Sequence, residues 1–341
     1  VRFRWVKAPG YSGNTLARFF NMVVFALRVW SGRSTRDLPE PDVVIGSSPH
    51  LFGADAAARL AKRRRVPFVL EIRDLWPLTL VDVGGFSTRH PAVVLMSWLE
   101  RRLYREADAI TTVLPRAADH LQTFGVEESS VTWIPNGVDL ADTPEPAPLH
   151  DHDEFVVLYL GSHGAGNNLG VVLDAAVRLQ TDGDDRFLFR FVGDGPEKAR
   201  LEESAKRRGL TNVAFEPPVP KHDAPHVLAT ADACIAILPP KVPLHRFGMS
   251  LNKLFDYLAA GRPVVFGAET PSDPVRDAQA GYTVPQDDID GLVAALRTLA
   301  DLDVAERIAM GERGRRFVAD NHDFKKLASR LEALLVTLTE D

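Results

Sequence analysis

Ser250-Leu251-Asn252-Lys253-Leu254-Phe255-Asp256-Tyr257-Leu258-Ala259-Ala260-Gly261-Arg262-Pro263-Val264-Val265 is the stretch that decides the fold class. It reads as a loop, a helix, a Gly-Arg-Pro turn and a buried strand, the unit from which parallel α/β sheets are built. A helix that starts beneath a loop offers unpaired backbone N–H groups and the positive end of its dipole, which suits a phosphate. Asp256 stands about one turn into the helix, within reach of a sugar hydroxyl beside that phosphate. An ordinary amphipathic helix shows the same pattern. The stretch alone leaves both readings open.

The same alternation extends outward on both sides. Towards the C-terminal half the expected strands are Phe155–Leu160, Phe187–Val192, Val213–Phe215, Ala233–Leu238 and Pro263–Phe266, with helices between them. The first half offers strands at Asp42–Ile45, Val66–Ile72, Ala109–Val113 and Val131–Ile134. Its helices are Ala54–Arg64, Pro91–Glu106 and one opened by Pro115 that runs to Phe124. Proline is tolerated in a first helical turn. Between the halves lies Ala141-Asp142-Thr143-Pro144-Glu145-Pro146-Ala147-Pro148, acidic, proline-rich and without periodicity. It reads as a linker. The expected division is a first domain over 1–140, a linker over 141–153, a second domain over 154–318 and a C-terminal helix over 319–341. The opening Val1–Val6 reads as a charged edge strand, where a doubly wound domain normally begins with a buried one.

Composition sets the bounds. A chain of 341 residues with 45% hydrophobic and 25% charged residues is an ordinary globular sequence long enough for two domains. The lone Cys234 sits in an apolar run and reads as a core residue, so no disulfide forms within the chain and a reducing, cytoplasmic compartment fits. No Cys/His metal spacing is present, and no nucleic-acid partner is expected. The net charge of −6 divides unevenly: 18 Lys and Arg face 14 Asp and Glu before residue 141, and 22 face 32 after it. That asymmetry suits different partners for the two halves; chance surface variation gives the same count. No apolar run reaches the ~20 residues that cross a bilayer. Leu16–Trp30 comes nearest but is interrupted by Arg18, Asn21 and Arg28. It is expected as a helix whose apolar face is buried against a sheet, or lies in a membrane interface.

Ligands of open α/β sheets bind beyond the carboxyl ends of the strands. That rule picks out Arg73-Asp74 after Val66–Ile72, as cleft residues or as an ion pair closing the strand. It picks out Ser47, Ser48 and His50 after Asp42–Ile45, as ligands or as caps of the next helix. In the second half it selects Gly161-Ser162-His163-Gly164-Ala165-Gly166-Asn167-Asn168, whose glycines admit a phosphate and whose asparagines can cap a helix. It also selects Gly193-Asp194-Gly195. The first of these turns lacks GxGxxG spacing, and no Gly-x4-Gly-Lys-Ser/Thr loop occurs. Both facts argue against a dinucleotide dehydrogenase and a P-loop enzyme.

Taken in order, these motifs resemble glycosyltransferase family 4, in particular its bacterial branch that moves N-acetylated amino sugars in surface-polysaccharide assembly. The resemblance rests on Pro41–His50, Pro67–Pro77, Leu99–Tyr104, Ile134-Pro135-Asn136-Gly137-Val138-Asp139, Val192–Gly195 and Lys253–Pro263. It implies the GT-B arrangement, two Rossmann-like domains facing across a cleft. The family's first strand and glycine-rich loop have no counterpart, so the first domain is expected to lack its opening strand and helix.

The resemblance implies a retaining, metal-independent transfer from a nucleotide-sugar, expected to be UDP-linked, to a lipid-linked or saccharide acceptor. The nucleotide-sugar is a substrate, and no cofactor is implied. Arg73 and Asp74 take the catalytic place. Gly161, Gly164, Asn167, Asn168, Gly193, Asp194, Gly195, Arg246, Ser250, Asn252, Lys253 and Asp256 take the donor side. Ser47, Ser48 and His50 take the acceptor side. Asp256 occupies the position of a ribose-binding acid that is usually Glu. Two features depart from the family: Gly248 stands where many members carry Glu, and Gly161–Gly170 lacks the Arg and Lys that hold the diphosphate.

The C-terminal helix Phe324–Leu338 is expected to cross back to the first domain. Lys62–Arg65 with Arg101, Arg102 and Arg105 can meet anionic headgroups at the inner membrane face, or form a solvated basic surface. Two rival functions stay open: a catalytically silent partner of another glycosyltransferase, and a nucleotide-sugar epimerase.

Overall fold

The computed structural model describes residues 3–11, 16–141, 143–146, 149 and 154–340. Two parallel sheets organise the chain, one in each of two compact units. The first unit comprises Val1–Pro135, Pro243–Ser250 and Ala328–Asp341. The second comprises Asn136–Val242 and Leu251–Leu327.

The first unit runs α1 (Leu16–Trp30), β1 (Val44–Ser47), α2 (Leu51–Arg64), β2 (Phe68–Ile72), α3 (Leu78–Asp82), α4 (Pro91–Glu106), β3 (Ala109–Thr112), α5 (Ala117–Gln122) and β4 (Val131–Trp133). Its four strands lie in chain order, every pair parallel. The central strands β2 and β3 are buried almost throughout, as strands covered on both faces are, although β3 ends on the buried Thr111 and Thr112. Phe68, Leu70, Ile72 and Ile110 pack against Ala54, Ala58, Leu99 and Leu103 from α2 and α4.

Three expectations change here. Phe3–Val6 form no strand, and Phe3 and Trp5 are 81% and 91% exposed; Val1 and Arg2 lie outside the described residues. The α1 helix packs on α2 rather than on a sheet, with Phe19 edge-on to Phe52 at 5.3 Å and Phe25 against His50 at 5.3 Å. The helix after Pro115 begins two residues later, at Ala117.

The second unit holds β5 (Phe155–Leu160), α6 (Leu169–Thr181), β6 (Phe187–Val192), α7 (Lys198–Arg207), β7 (Val213–Glu216), α8 (Ala224–Leu228), β8 (Ala233–Ile237) and α9 (Asn252–Ala259). After these come β9 (Val264–Gly267), α10 (Pro274–Asp277), β10 (Gly281–Val284), α11 (Ile289–Asp301), α12 (Val304–Asn321) and the start of α13 (Phe324–Glu340). The sheet order is β10-β9-β8-β5-β6-β7, all parallel. Chain order reverses between β5 and β8, which makes the carboxyl ends of these two strands the switch point. Beyond the expected strands lies β10, a half-buried edge strand that opens on Gly281 and has no strong apolar run to mark it in the sequence.

The domain boundaries also move. Pro243–Ser250 joins the first unit: the Arg116 N–H donates to the Phe247 carbonyl at 3.0 Å, and the buried Phe247 ring meets His120 at 5.5 Å. Arg246 and Ser250, expected in the donor domain, therefore belong to the first unit. The α13 helix is shared, its residues from Ala328 onward grouping with the first unit. Before α13, Val138 N–H donates to the His322 carbonyl at 3.0 Å and Phe324 N–H donates to the Val138 carbonyl at 3.1 Å. Of the expected linker, residues 142, 147–148 and 150–153 lie outside the described residues. Its Pro144 carbonyl accepts from Arg315 at 2.7 Å.

Gly311 in α12 lies against the turn after α9. A Cβ there would overlap the carbonyl oxygen of Gly261, itself left-handed at φ +67°. Backbone cannot step aside as a side chain can. Gly311→Ala is expected to cost about 1–3 kcal/mol, read as a lowered urea midpoint; an unchanged midpoint contradicts this packing.

Candidate functional site

The carboxyl end of β5 is pinned to α9 by two side chains one turn apart. The Tyr257 hydroxyl accepts from the Leu160 N–H at 2.9 Å and donates to the Leu160 carbonyl at 2.9 Å. Lys253 donates to the Tyr159 hydroxyl at 2.9 Å and to Asn167 Oδ1, with Nζ 4.7 Å from the centre of the Tyr159 ring. Tyr159 in turn donates to the Ser162 carbonyl at 2.6 Å, and Asn167 Nδ2 donates to the same oxygen at 2.7 Å. Leu251, the residue capping α9, provides no side-chain acceptor. The start of this helix is thus left to its backbone dipole and the Lys253 ammonium.

The two glycine turns are laced to each other. His163 N–H donates to the Asp194 carbonyl at 2.8 Å, and Glu197 N–H donates to the His163 carbonyl at 2.9 Å. A Cβ on Gly193 would overlap the Gly161 carbonyl, and one on Gly195 would lie 2.5 Å from the His163 carbonyl. Gly193 and Gly195 thus admit the neighbouring backbone, a use distinct from the donor contact that the resemblance implies for them. Lys198 holds the second turn by donating to the carbonyls of Gly193 and Glu216 at 2.8 and 2.7 Å.

Neither asparagine caps a helix through its side chain, which corrects the expected role. Asn168 is left-handed at φ 45°, and its Nδ2 donates to the carbonyls of Leu238 and Gln286 at 3.3 Å each. It ties the β5 turn to the end of β8 across the switch point. His163, absent from the expected site, is fully buried among Tyr159, Phe191 and Phe215. Burial, then the nearby Lys198 charge, lower its pKa and keep the ring neutral. No spacing in the sequence marks it, because only the tertiary fold supplies those rings.

Asp256 lies on the wall of an open cavity of about 730 Å³ within the second unit, shared with Asp139, Lys221, His222, Leu228 and Phe324. Burial raises its pKa, and the Lys221 charge partly opposes this. Lys253 moves the other way: burial lowers its ammonium to about 8. It meets no carboxylate within 4 Å among the described residues. A half-buried cation with only neutral partners is a good receptor for an anion.

In the first unit the candidate residues have identifiable local partners. Ser48 Oγ accepts from the Arg73 and Asp74 N–H groups at 2.9 and 3.3 Å and donates to the Asp74 carbonyl at 3.1 Å, joining the ends of β1 and β2. His50 Nδ1 accepts from Gly53 N–H at 2.7 Å and so caps α2. Ser47 donates to Glu71. Among the described residues, no ion pair within 4 Å joins the side chains of Arg73 and Asp74. Desolvation raises the Asp74 pKa against the opposing charge of Arg73. Arg246 donates to the Pro243 carbonyl at 3.2 Å, with its guanidinium 4.5 Å from the Phe247 ring. Among the described residues, no cluster of three or more His, Cys, Asp or Glu could hold a metal ion, and no helix is long and apolar enough to cross a membrane.

Residues 1–137 match the family model described as a glycosyl transferase 4-like domain, and residues 154–302 match glycosyl transferases group 1. WcaI of Escherichia coli K12, provisionally described as a colanic acid biosynthesis glycosyl transferase, is 27% identical over 310 residues. That alignment covers 83% of this chain and 72% of WcaI. Among solved structures, sucrose-phosphate synthase from Thermosynechococcus elongatus has a TM-score of 0.73 at 18% identity, over 93% of this chain and 78% of its own. HepE of Anabaena, solved with UDP-glucose, has a TM-score of 0.66 at 14% identity, over 95% and 84%. At such identities the two structures show a shared fold.

The lowered Lys253 pKa makes a test of the site's electrostatics. Between about 8 and the ordinary 10.5 the folded chain binds fewer protons at this position than the unfolded chain, so stability rises with pH across that window. Unfolding free energies of wild type and Lys253→Met, measured at pH 7.5, 9 and 10, are expected to diverge in favour of wild type. The slope limit is about 1.4 kcal/mol per pH unit. A flat difference rules out a desolvated ammonium.

Proposed function

The chain belongs to glycosyltransferase family 4, and on that premise we propose a retaining transfer of a sugar from a UDP-sugar to a lipid-linked saccharide at the cytoplasmic membrane face. An N-acetylated amino sugar is the proposed cargo. Lys253 carries the reading, as a half-buried ammonium held by neutral groups at the start of α9 and the end of β5. A diphosphate there gains a charge-assisted contact and the helix dipole together. The family's Arg and Lys are missing from Gly161–Gly170, so the backbone of that turn shares the phosphate load with Lys253. Asp256, in the cavity with Lys221 and His222, receives the ribose hydroxyls.

In the proposed step the bond from the sugar C1 to the diphosphate oxygen breaks, and a bond from C1 to the acceptor hydroxyl oxygen forms on the same face. The acceptor proton passes to the departing diphosphate, whose growing charge Lys253 stabilises. Neither a protein-held metal nor a cofactor enters. In the first unit, Arg73 and Asp74 contact the transferred sugar, and Ser47, Ser48 and His50 order the acceptor loop, Ser48 by fixing the backbone of Arg73 and Asp74.

UDP release is measured with UDP-sugars and GDP-mannose, with and without a lipid-linked acceptor and with EDTA present. The expected result is acceptor-dependent release of UDP and a product of retained anomeric configuration by NMR. Lys253→Ala is expected to lower kcat by about 10²–10³. Asp74→Asn is expected to abolish transfer while leaving donor affinity within about threefold, as fits a residue acting on the sugar rather than the nucleotide. Nucleotide binding without transfer favours a silent partner, and an isomerised sugar nucleotide without acceptor favours an epimerase. Either result overturns the transferase reading.

A further inference from the structure

The α4 helix turns two chemistries outward. Its inner side, Met96, Leu99 and Leu103, is part of the first unit's core. Val94, Trp98, Arg101 and Arg105 recur at spacings of four, three and four residues and so share one stripe of the outer face. The stripe is about 16 Å long at 1.5 Å per residue. Val94 and Trp98 are 54% and 53% exposed, with Leu95 beside them at 41%. Upstream, the exposed Phe86 stands edge-on at 5.0 Å to His90, the residue that caps α4.

The charges on this helix differ in kind. Arg102 is neutralised by Asp55 at 3.2 Å and Glu106 at 3.0 Å. Arg101 and Arg105 meet no carboxylate within 4 Å among the described residues. The Arg101 guanidinium lies 5.6 Å from the centre of the Phe124 ring, and Arg105 Nε donates to the Arg101 carbonyl at 3.3 Å. With Trp98, Thr123 and Phe124 they line an open cavity of about 590 Å³. The other basic run is partly occupied: Arg64 pairs with Glu40, and Arg63 donates to the Trp30 carbonyl.

Single exposed apolar residues are ordinary, but a contiguous row that continues into unpaired cations is not. The partner it fits has an apolar layer directly beside a layer of anions. A bilayer with acidic headgroups has that order, with tryptophan favoured at the boundary and arginine at the phosphates. We propose that the outer stripe of α4 docks this protein on an anionic membrane surface, with Val94, Leu95 and Trp98 entering the interface and Arg101 and Arg105 meeting lipid phosphates. The surplus of basic residues before residue 141 has the matching sign. The proposal rests on the membrane-face placement of the proposed function and deepens it, and vesicle binding tests it separately because it needs neither donor nor acceptor.

The full chain is sedimented with phosphatidylcholine vesicles, with and without phosphatidylglycerol. Co-sedimentation is expected only with the acidic lipid, and is expected to weaken as salt rises. Arg101→Glu/Arg105→Glu is expected to lower the partition coefficient at least about tenfold, and Trp98→Ala several-fold. Arg207→Glu, a charge reversal on α7, is expected to leave binding unchanged. Circular dichroism confirms that each variant is folded. Equal binding to neutral vesicles, or undiminished binding of the double variant, overturns the proposal. So does a concentration-dependent dimer abolished by Trp98→Ala, which would assign the stripe to a second copy.

Discussion

A half-buried ammonium that meets no carboxylate among the described residues is the constraint around which the end of β5 is arranged. Lys253 gives up much of its hydration and receives in return only a phenol oxygen and an amide oxygen. That exchange is unfavourable for a cation, which is why its pKa falls. The fold tolerates the cost because the same residues do structural work. Tyr159 and Asn167 shape the turn after β5, and Tyr257 closes both backbone groups of Leu160 from the same helix. In the proposed reading, the donor diphosphate restores charge stabilisation to this ammonium.

The surrounding turns show how a site of this kind is held stiff. Gly193 and Gly195 allow two loops to touch backbone to backbone, and Lys198 and Asn168 bind those loops to neighbouring strand ends. Rigid amides placed in advance stabilise developing charge without reorganising during a reaction. Side-chain cations in the loop would serve the same end; Gly161–Gly170 has none, and in the proposed function that load falls to Lys253 and to the geometry of the turn.

The first unit uses small polar residues differently. Ser48 satisfies three backbone groups of the next strand's end, and His50 caps the helix that follows. Both lie where a strand-end rule places ligand residues, yet each first meets a local hydrogen-bonding need. Arg73 and Asp74 are the residues there whose side chains remain uncommitted to one another.

The sequence by itself determined the elements whose physics is local. Phe155–Leu160 and Phe187–Val192 begin and end where expected, because a strand covered on both faces reads as a near-continuous apolar run, broken in the second only by Arg190. The α9 helix and its Lys253 were legible for a similar reason, since the turn-and-dipole logic needs only neighbours in the chain. Tertiary structure alone decided what depends on distant partners. It placed Pro243–Ser250 in the first unit through Phe247, seated α1 on α2, added β10 as an edge strand and enclosed His163 in three aromatic rings. Burial is a property of what packs against a residue, and no window of sequence contains that partner.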